Sequence, residues 1–148
     1  MGLVPTMGAL HAGHVSLIGA AVADGCDALV TVFVNPLQFA AGEDLDAYPR
    51  PIEADLAAAQ AAGATWVFVP GDGEMYPQEP LTTVSVAGLG DAMEGASSPT
   101  HFAGVATVVT KLFAITGACR AYFGEKDFQQ LAIVTRVAAD LSLPVDVV

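Results

Sequence analysis

The chain is 148 residues long and sets 5 Lys+Arg against 16 Asp+Glu, a formal net charge of −11 at pH 7. That balance excludes a nucleic-acid surface, which needs a clustered basic footprint. It also obliges any anionic ligand to be held by local groups against a repulsive global field. With 53% hydrophobic and only 14% charged residues, the chain can bury the core of one ordinary domain and is not disordered by composition.

Cys26 and Cys119 are far apart, with no Cys-x-x-Cys pair, which points to a reducing, cytoplasmic setting rather than a disulfide framework. No run reaches the roughly 20 apolar residues of a membrane span, and the opening Met1-Gly2-Leu3-Val4-Pro5 is not a signal peptide. The N-terminus enters a strand at once and the C-terminus stops inside an apolar run, so a piece of a longer protein is expected.

In chain order, Gly2-Leu3-Val4 reads as a first strand and Val15 to Val22 as a helix with Val15, Ile18, Ala21 and Val22 on its stripe, ended by Gly25. Ala28 to Val34 is a nearly continuous apolar run, the mark of a strand buried on both faces of a parallel sheet. A long polar loop, Leu37 to Arg50, leads to Pro51 at the first position of a helix whose stripe is Ile52, Leu56 and Ala59, closed by Gly63. Thr65 to Val69 is a third strand. Thr82 to Val86 alternates and predicts a separate edge strand, and Gly88 to Gly95 is irregular or one short helix. Val105, Val108, Val109, Leu112 and Phe113 define a strongly apolar helix ended by Gly117. Ala121 to Gly124 is a fourth strand, about Lys126 to Leu141 a helix, and Val145 to Val148 a fifth strand. Strands alternating with helices predict an α/β fold, a doubly wound parallel sheet. In such sheets ligands bind outside the carboxyl ends of the strands. Three loops qualify: Met7 to His14, Asn35 to Phe39, and Gly124 to Gln130.

The first loop carries His11 and His14, three apart at a helix start. A helix N-terminus offers unpaired N–H donors and a positive dipole end, and Gly8 and Gly13 permit a tight turn and close backbone approach. Phosphate contact, metal chelation and a surface pair all remain open for these histidines, although no third and fourth metal ligands are obvious. In the third loop Lys126 occupies a helix N-terminus, where the dipole disfavours a cation. It either meets an anionic partner or is solvated, and Asp127 either caps the helix or reads a ligand together with Gln130. Asn35 and Gln38 end the most buried strand, where polar groups must meet backbone or ligand. His101 reads as a structural hydrogen bonder. Glu43, Asp44 and Asp46 form an acidic loop, a solvated surface or a Mg²⁺ recruiter. No G-x-x-x-x-G-K-[ST] is present, and Gly88-Leu89-Gly90 is followed by Met93 where G-x-G-x-x-G needs glycine, so P-loop and ordinary dinucleotide-binding readings fall.

His11-Ala12-Gly13-His14 resembles the H-x-G-H signature of the nucleotidylyltransferase superfamily, a Rossmann-like domain. Pro5 to His14, Phe33 to Phe39, His101 to Val109 and Tyr122 to Asp127 together resemble the pantothenate synthetase (pantoate–β-alanine ligase) family, in the family's order and over essentially the whole chain. Ala12 and Phe128 stand where that family often has Glu and Tyr. The resemblance implies that ATP and pantoate form pantoyl adenylate with Mg²⁺, and that β-alanine then attacks to give pantothenate. It implies an ATP site of Met7, Gly8, Ala9, Leu10, His11, Ala12, Gly13 and His14 with Gly124, Glu125, Lys126 and Asp127. Catalytic roles would fall to His14, His11 and Lys126, and Gln38, Gln130 and Asn35 would bind substrate. It further implies a nucleotide- and pantoate-binding domain over residues 1–148 without the family's C-terminal lid, low activity of this piece alone, and a cytoplasmic homodimer. Two alternatives stand beside it: another H-x-G-H nucleotidylyltransferase, and a non-catalytic nucleotide-binding or dimerising module with Val84 to Val86 as a pairing edge.

Overall fold

The computed structural model describes residues 1–40, 43–89 and 99–148. Its frame is a five-stranded parallel sheet of order β3-β2-β1-β4-β5, formed by β1 (Gly2–Thr6), β2 (Ala28–Val32), β3 (Trp66–Phe68), β4 (Cys119–Ala121) and β5 (Val145–Val147). Gly2 to Thr6 pair in register with Ala28 to Val32, and Gly2 and Leu3 with Arg120 and Ala121. Period-two alternation along these strands sends successive side chains to opposite faces. Val4, Val30 and Val32 turn toward α1 (Ala12–Ala23) and α2 (Ile52–Ala61), where Ile18, Ala21 and Ala59 complete one buried layer. Leu3, Phe33 and Phe123 turn the other way. There they meet the helices Pro99–Thr116 and Phe128–Asp140, numbered α4 and α5 because a short helix, α3 (Asp72–Met75), precedes them. Helices cover both faces, as the near-continuous apolar strands require.

Several boundaries differ from the sequence reading. α1 begins at Ala12 rather than Val15, because the histidine pair itself caps it, and Val15 and Val22 are exposed while Ile18 and Ala21 are buried. On α2 the inward position is Asp55, not the exposed Leu56, and Pro51 is the N-cap rather than the first helical residue. Leu141 lies exposed beyond α5. β2 stops at Val32, although the Phe33 N–H still donates to the Thr6 carbonyl, and β4 is Cys119–Ala121 rather than Ala121 to Gly124. Thr82 to Val86 is not a strand. Val84 and Val86 pack on Phe102, Ala106, Ile133 and Val137, and the Val84 N–H donates to Thr107 Oγ1 at 2.9 Å instead of to a neighbouring strand. Gly88 to Gly95 lies largely outside the described residues. Among the described residues no helix is long and apolar enough to cross a membrane.

α4 is seated on the turn that follows β2, the 3₁₀ turn Pro36–Gln38. Gly104 makes this approach possible, since a Cβ there would stand 2.4 Å from the Leu37 carbonyl oxygen and 2.6 Å from the Gln38 nitrogen. Both obstacles are backbone and cannot rotate away. Gly104→Ala is expected to destabilise the chain by about 1–3 kcal/mol, as overpacking does, with denaturant unfolding as the check. A loss under about 0.5 kcal/mol, the range of a neutral surface change, would show that α4 does not rest on this turn.

Candidate active site

β1 ends at Thr6 and the chain turns at once toward α1. Thr6 Oγ1 donates to the Thr31 carbonyl at 2.8 Å and accepts the Gly8 N–H at 3.1 Å. Gly8 (φ 81°) and Ala9 (φ 51°) are both left-handed, a conformation that costs an L side chain energy unless the surroundings hold it. What holds it is Asp55. Its Oδ2 accepts the Ala9 N–H at 2.9 Å and its Oδ1 the Leu10 N–H at 2.8 Å. Two successive N–H groups aimed at one point form an anion-binding concavity, and here the anion belongs to the protein, on a residue only 3% exposed. Gly8 is required on a second ground, because a Cβ would lie 2.9 Å from Asp55 Oδ2. Sequence reasoning missed Asp55. The available signal was its place on the inward stripe of α2, three residues after Ile52 and four before Ala59.

The histidines cap α1 reciprocally. Gly13 N–H donates to His11 Nδ1 at 3.0 Å, and His11 N–H donates to His14 Nδ1 at 3.1 Å, which satisfies two of the orphan donors of the helix start. The His11 ring lies so close over Gly13 that a Cβ there would sit 2.7 Å from its Cε1, a physical reason for glycine between the two histidines. The rings are stacked at 4.1 Å between centroids, tilted by 34°. Because each Nδ1 accepts a backbone N–H, the proton of each neutral ring resides on Nε2. Burial lowers the His14 pKa below its ordinary 6.5, and His11 lowers it further, while the Asp55 carboxylate opposes both. His14 is thus held as a neutral hydrogen-bond donor.

A cleft of about 300 Å³ opens at the carboxyl ends of the strands, between β1 and β4, where the strand order reverses. Met7, Gly8, Ala9, His11 and His14 line it from one side, and Asn35, Gln38, Asp127 and Gln130 from the others. Its floor is apolar, built of Phe33, Val105, Val108, Val109 and Leu112, and Tyr48 borders it. The floor and Tyr48 are further lining residues that sequence reasoning did not assign to the site. All three predicted loops therefore converge. Within them, Leu10 packs into the core beside α1, Ala12 and Gly13 are exposed, and Gly124, Glu125 and Lys126 are exposed beside the cleft rather than in its wall.

Asp127 is the N-cap residue of α5 but makes no side-chain cap bond, so the capping role does not hold; the residue lines the cleft. His101 Nδ1 meets the Gln38 carbonyl at 3.1 Å, a structural bond as expected. Asp44 accepts the Ala47 N–H at 3.1 Å in its own exposed turn, and the acidic loop does not reach the cleft. Asn35 lines the cleft, yet its amide is taken up by the protein. Oδ1 accepts from Tyr76 and the Leu37 N–H, and Nδ2 donates to Gln38 and the Gly104 carbonyl. Among the described residues no three His, Cys, Asp or Glu side chains gather as a metal site, and both histidine Nδ1 atoms accept backbone N–H groups.

Fold and site together define a nucleotidylyltransferase-like α/β domain. A family model described as Pantoate-beta-alanine ligase matches residues 1–148, and the chain belongs to that family. It is 56% identical over 146 residues to a pantothenate synthetase of Corynebacterium jeikeium, covering 98% of this chain and 48% of that protein. It is 57% identical over 149 residues to one of Ruegeria pomeroyi, covering 100% and 52%. The chain thus spans about half the length of the curated relatives it matches. Among solved structures, pantothenate synthetase from Thermus thermophilus superposes with TM-score 0.96 at 52% identity, over 99% of this chain and 54% of that one. A pantoate-beta-alanine ligase from Francisella tularensis, complexed with beta-gamma ATP and beta-alanine, superposes with TM-score 0.95 at 36% identity, over 99% and 57%.

Two outcomes follow from this geometry. NMR titration of the His14 ring should give a midpoint below 6.5 with Nε2 protonated in the neutral form; a midpoint at or above 6.5 would contradict the capped arrangement. The unfolded chain takes the proton first. Stability from this group is therefore complete above about pH 6.5 and is lost as pH falls through the lower folded midpoint. Asp55→Ala leaves two partly buried N–H groups without acceptors and should cost about 2–4 kcal/mol in urea unfolding. Because the carboxylate raises the His14 pKa, the same variant should lower the His14 midpoint further, and an upward shift would refute the assigned coupling.

Proposed function

We propose that this chain is the ATP- and pantoate-binding half of an enzyme that condenses pantoate with β-alanine to pantothenate through a pantoyl adenylate. The observation that carries the reading is the two-sided cleft at the strand-order reversal. One wall is the His11–His14 helix start and the other is Gln38 and Gln130 above an apolar floor. The Francisella relative with its beta-gamma ATP and beta-alanine supports the same ligands.

In this reading the phosphates of ATP lie against the N-terminus of α1, and His14 and His11 donate from Nε2 to the phosphoryl oxygens. A pantoate carboxylate oxygen attacks the α-phosphorus, and the bond to pyrophosphate breaks. Charge grows on the phosphoryl oxygens in that step, so fixed donors stabilise the transition state more than the ground state. The β-alanine amine then attacks the acyl carbon, and AMP leaves with the electron pair of the acyl–oxygen bond. Phe33, Val105, Val108 and Val109 suit the dimethyl carbon of pantoate, while Gln38 and Gln130 read its oxygens. Lys126 supplies a cation from outside the wall. Every other basic side chain already has a protein partner: Arg50 and Lys111 on carbonyls, Arg120 and Arg136 on carboxylates. Mg²⁺ fits as an ion carried by ATP, because the cleft offers one carboxylate, Asp127, whose side chain makes no cap bond, and such sites use one or two carboxylates plus phosphates. Bound there it would neutralise phosphate charge. A cytoplasmic homodimer completes the proposal.

At the family's full length, His14→Ala should lower pantoate-dependent ATP–pyrophosphate exchange by about 10²–10³-fold, the scale of losing one charge-stabilising donor. A change under threefold would remove His14 from the chemistry, and exchange that ignores pantoate would sink the reading. The 148-residue chain alone should bind ATP and pantoate weakly and turn over little; near-normal turnover would overturn that part.

A further inference from the structure

Gln38 has a polarity that the protein imposes from a distance. Asn35 is 1% exposed, and backbone groups decide which way round its amide lies. The Leu37 N–H at 3.3 Å can meet only Oδ1, and the Gly104 carbonyl at 3.0 Å can meet only Nδ2. The second Nδ2 hydrogen reaches Gln38 at 3.0 Å, so the atom it meets is Oε1. The NH₂ group of Gln38 is the end left for a ligand. One lone pair remains on Asn35 Oδ1, and the Tyr76 hydroxyl, 41 residues along the chain, donates to it at 2.8 Å.

Tyr76 is itself held. Lys111 Nζ donates to the Met75 carbonyl and stands 5.1 Å from the Tyr76 ring centroid, and Phe33 lies against the ring at 6.0 Å. Burial, with Asp72 adding to it, raises the Tyr76 pKa to about 12, so the hydroxyl stays a donor at any ordinary pH.

We propose that Tyr76, which does not line the cleft, is a positioning residue: acting through Asn35, it holds Gln38 as a hydrogen-bond donor toward an acceptor oxygen of the hydroxy-acid substrate. The proposal rests on the functional reading above and adds a specificity element to it. A site that presents NH₂ here favours a carboxylate or hydroxyl oxygen and rejects a donor-only group. Without the Tyr76 hydroxyl, a buried acceptor loses one of its two partners and the Asn35–Gln38 pair is held less firmly.

The test is Tyr76→Phe in this chain, with pantoate and ATP titrated separately and the side-chain amides followed by NMR. Pantoate should shift the Gln38 Nε2H₂ signals of the unaltered chain. Tyr76→Phe should shift the Asn35 amide signals and weaken pantoate about threefold to tenfold, while ATP affinity stays within twofold. A merely structural role would weaken both ligands alike, and that result overturns the proposal. Equally damaging would be pantoate binding that leaves the Gln38 NH₂ unmoved, which needs no variant to observe. Should the unaltered chain bind neither ligand while the Asn35 signals still respond to Tyr76→Phe, the functional reading falls and the relay remains.

Discussion

The carboxylate of Asp55 is the constraint on which the site depends. A strand cannot pass directly into the first turn of a helix without reversing its direction of travel, and here the reversal uses two consecutive left-handed residues, Gly8 and Ala9. Left unpaired, the Ala9 and Leu10 N–H groups would be partly buried donors, each costing about 1–3 kcal/mol. Asp55 meets both at once. It reaches them from α2, the helix that covers the same face of the sheet as α1, so the packing of one layer fixes the turn. With the turn fixed, α1 must start at Ala12, and the two histidines fall at its mouth.

Much of this architecture is legible in the residues. The apolar runs that become β1 and β2 are buried on both faces, and such strands need covering helices. The glycines at 25, 63 and 117 end helices as the pattern suggests, and all three have positive φ. Convergence of three loops follows from parallel strands sharing one carboxyl end. Thr82 to Val86 misled because alternation records only that one face is buried. It does not say whether the backbone is satisfied by a strand or, as here, by Thr107 on α4. Asn35 was ambiguous for a similar reason: its partners Tyr76 and Gly104 are 41 and 69 residues away, and local sequence contains no trace of them. Asp55 was legible in principle, since a carboxylate on the apolar stripe of a helix needs a buried partner.

A chain of net charge −11 would face a physical difficulty with the polyphosphate ligand proposed for it, and the cleft would meet it without a cation in its wall. Three of the polar side chains there, His11, His14 and Gln38, have an inner atom engaged by the protein. His11 and His14 accept backbone N–H groups at Nδ1, and Gln38 accepts from Asn35 at Oε1. The atoms these three leave over are the two Nε2–H groups and an NH₂, all of them donors. Fixing the inner atom determines the chemical sign of the outer one, so these three donors arise from the hydrogen bonds of the scaffold itself. Such dipoles are already oriented and need no reorganisation when charge develops. They also leave the desolvation cost of a buried cation unincurred. Asp127 differs in sign, a carboxylate beside these donors, and it lies on the loop that also carries Lys126, where an added cation or a hydroxyl proton would be welcome. The same rule gives the capping of α1 a second purpose: satisfying the helix start and setting the tautomer of its histidines are one set of hydrogen bonds.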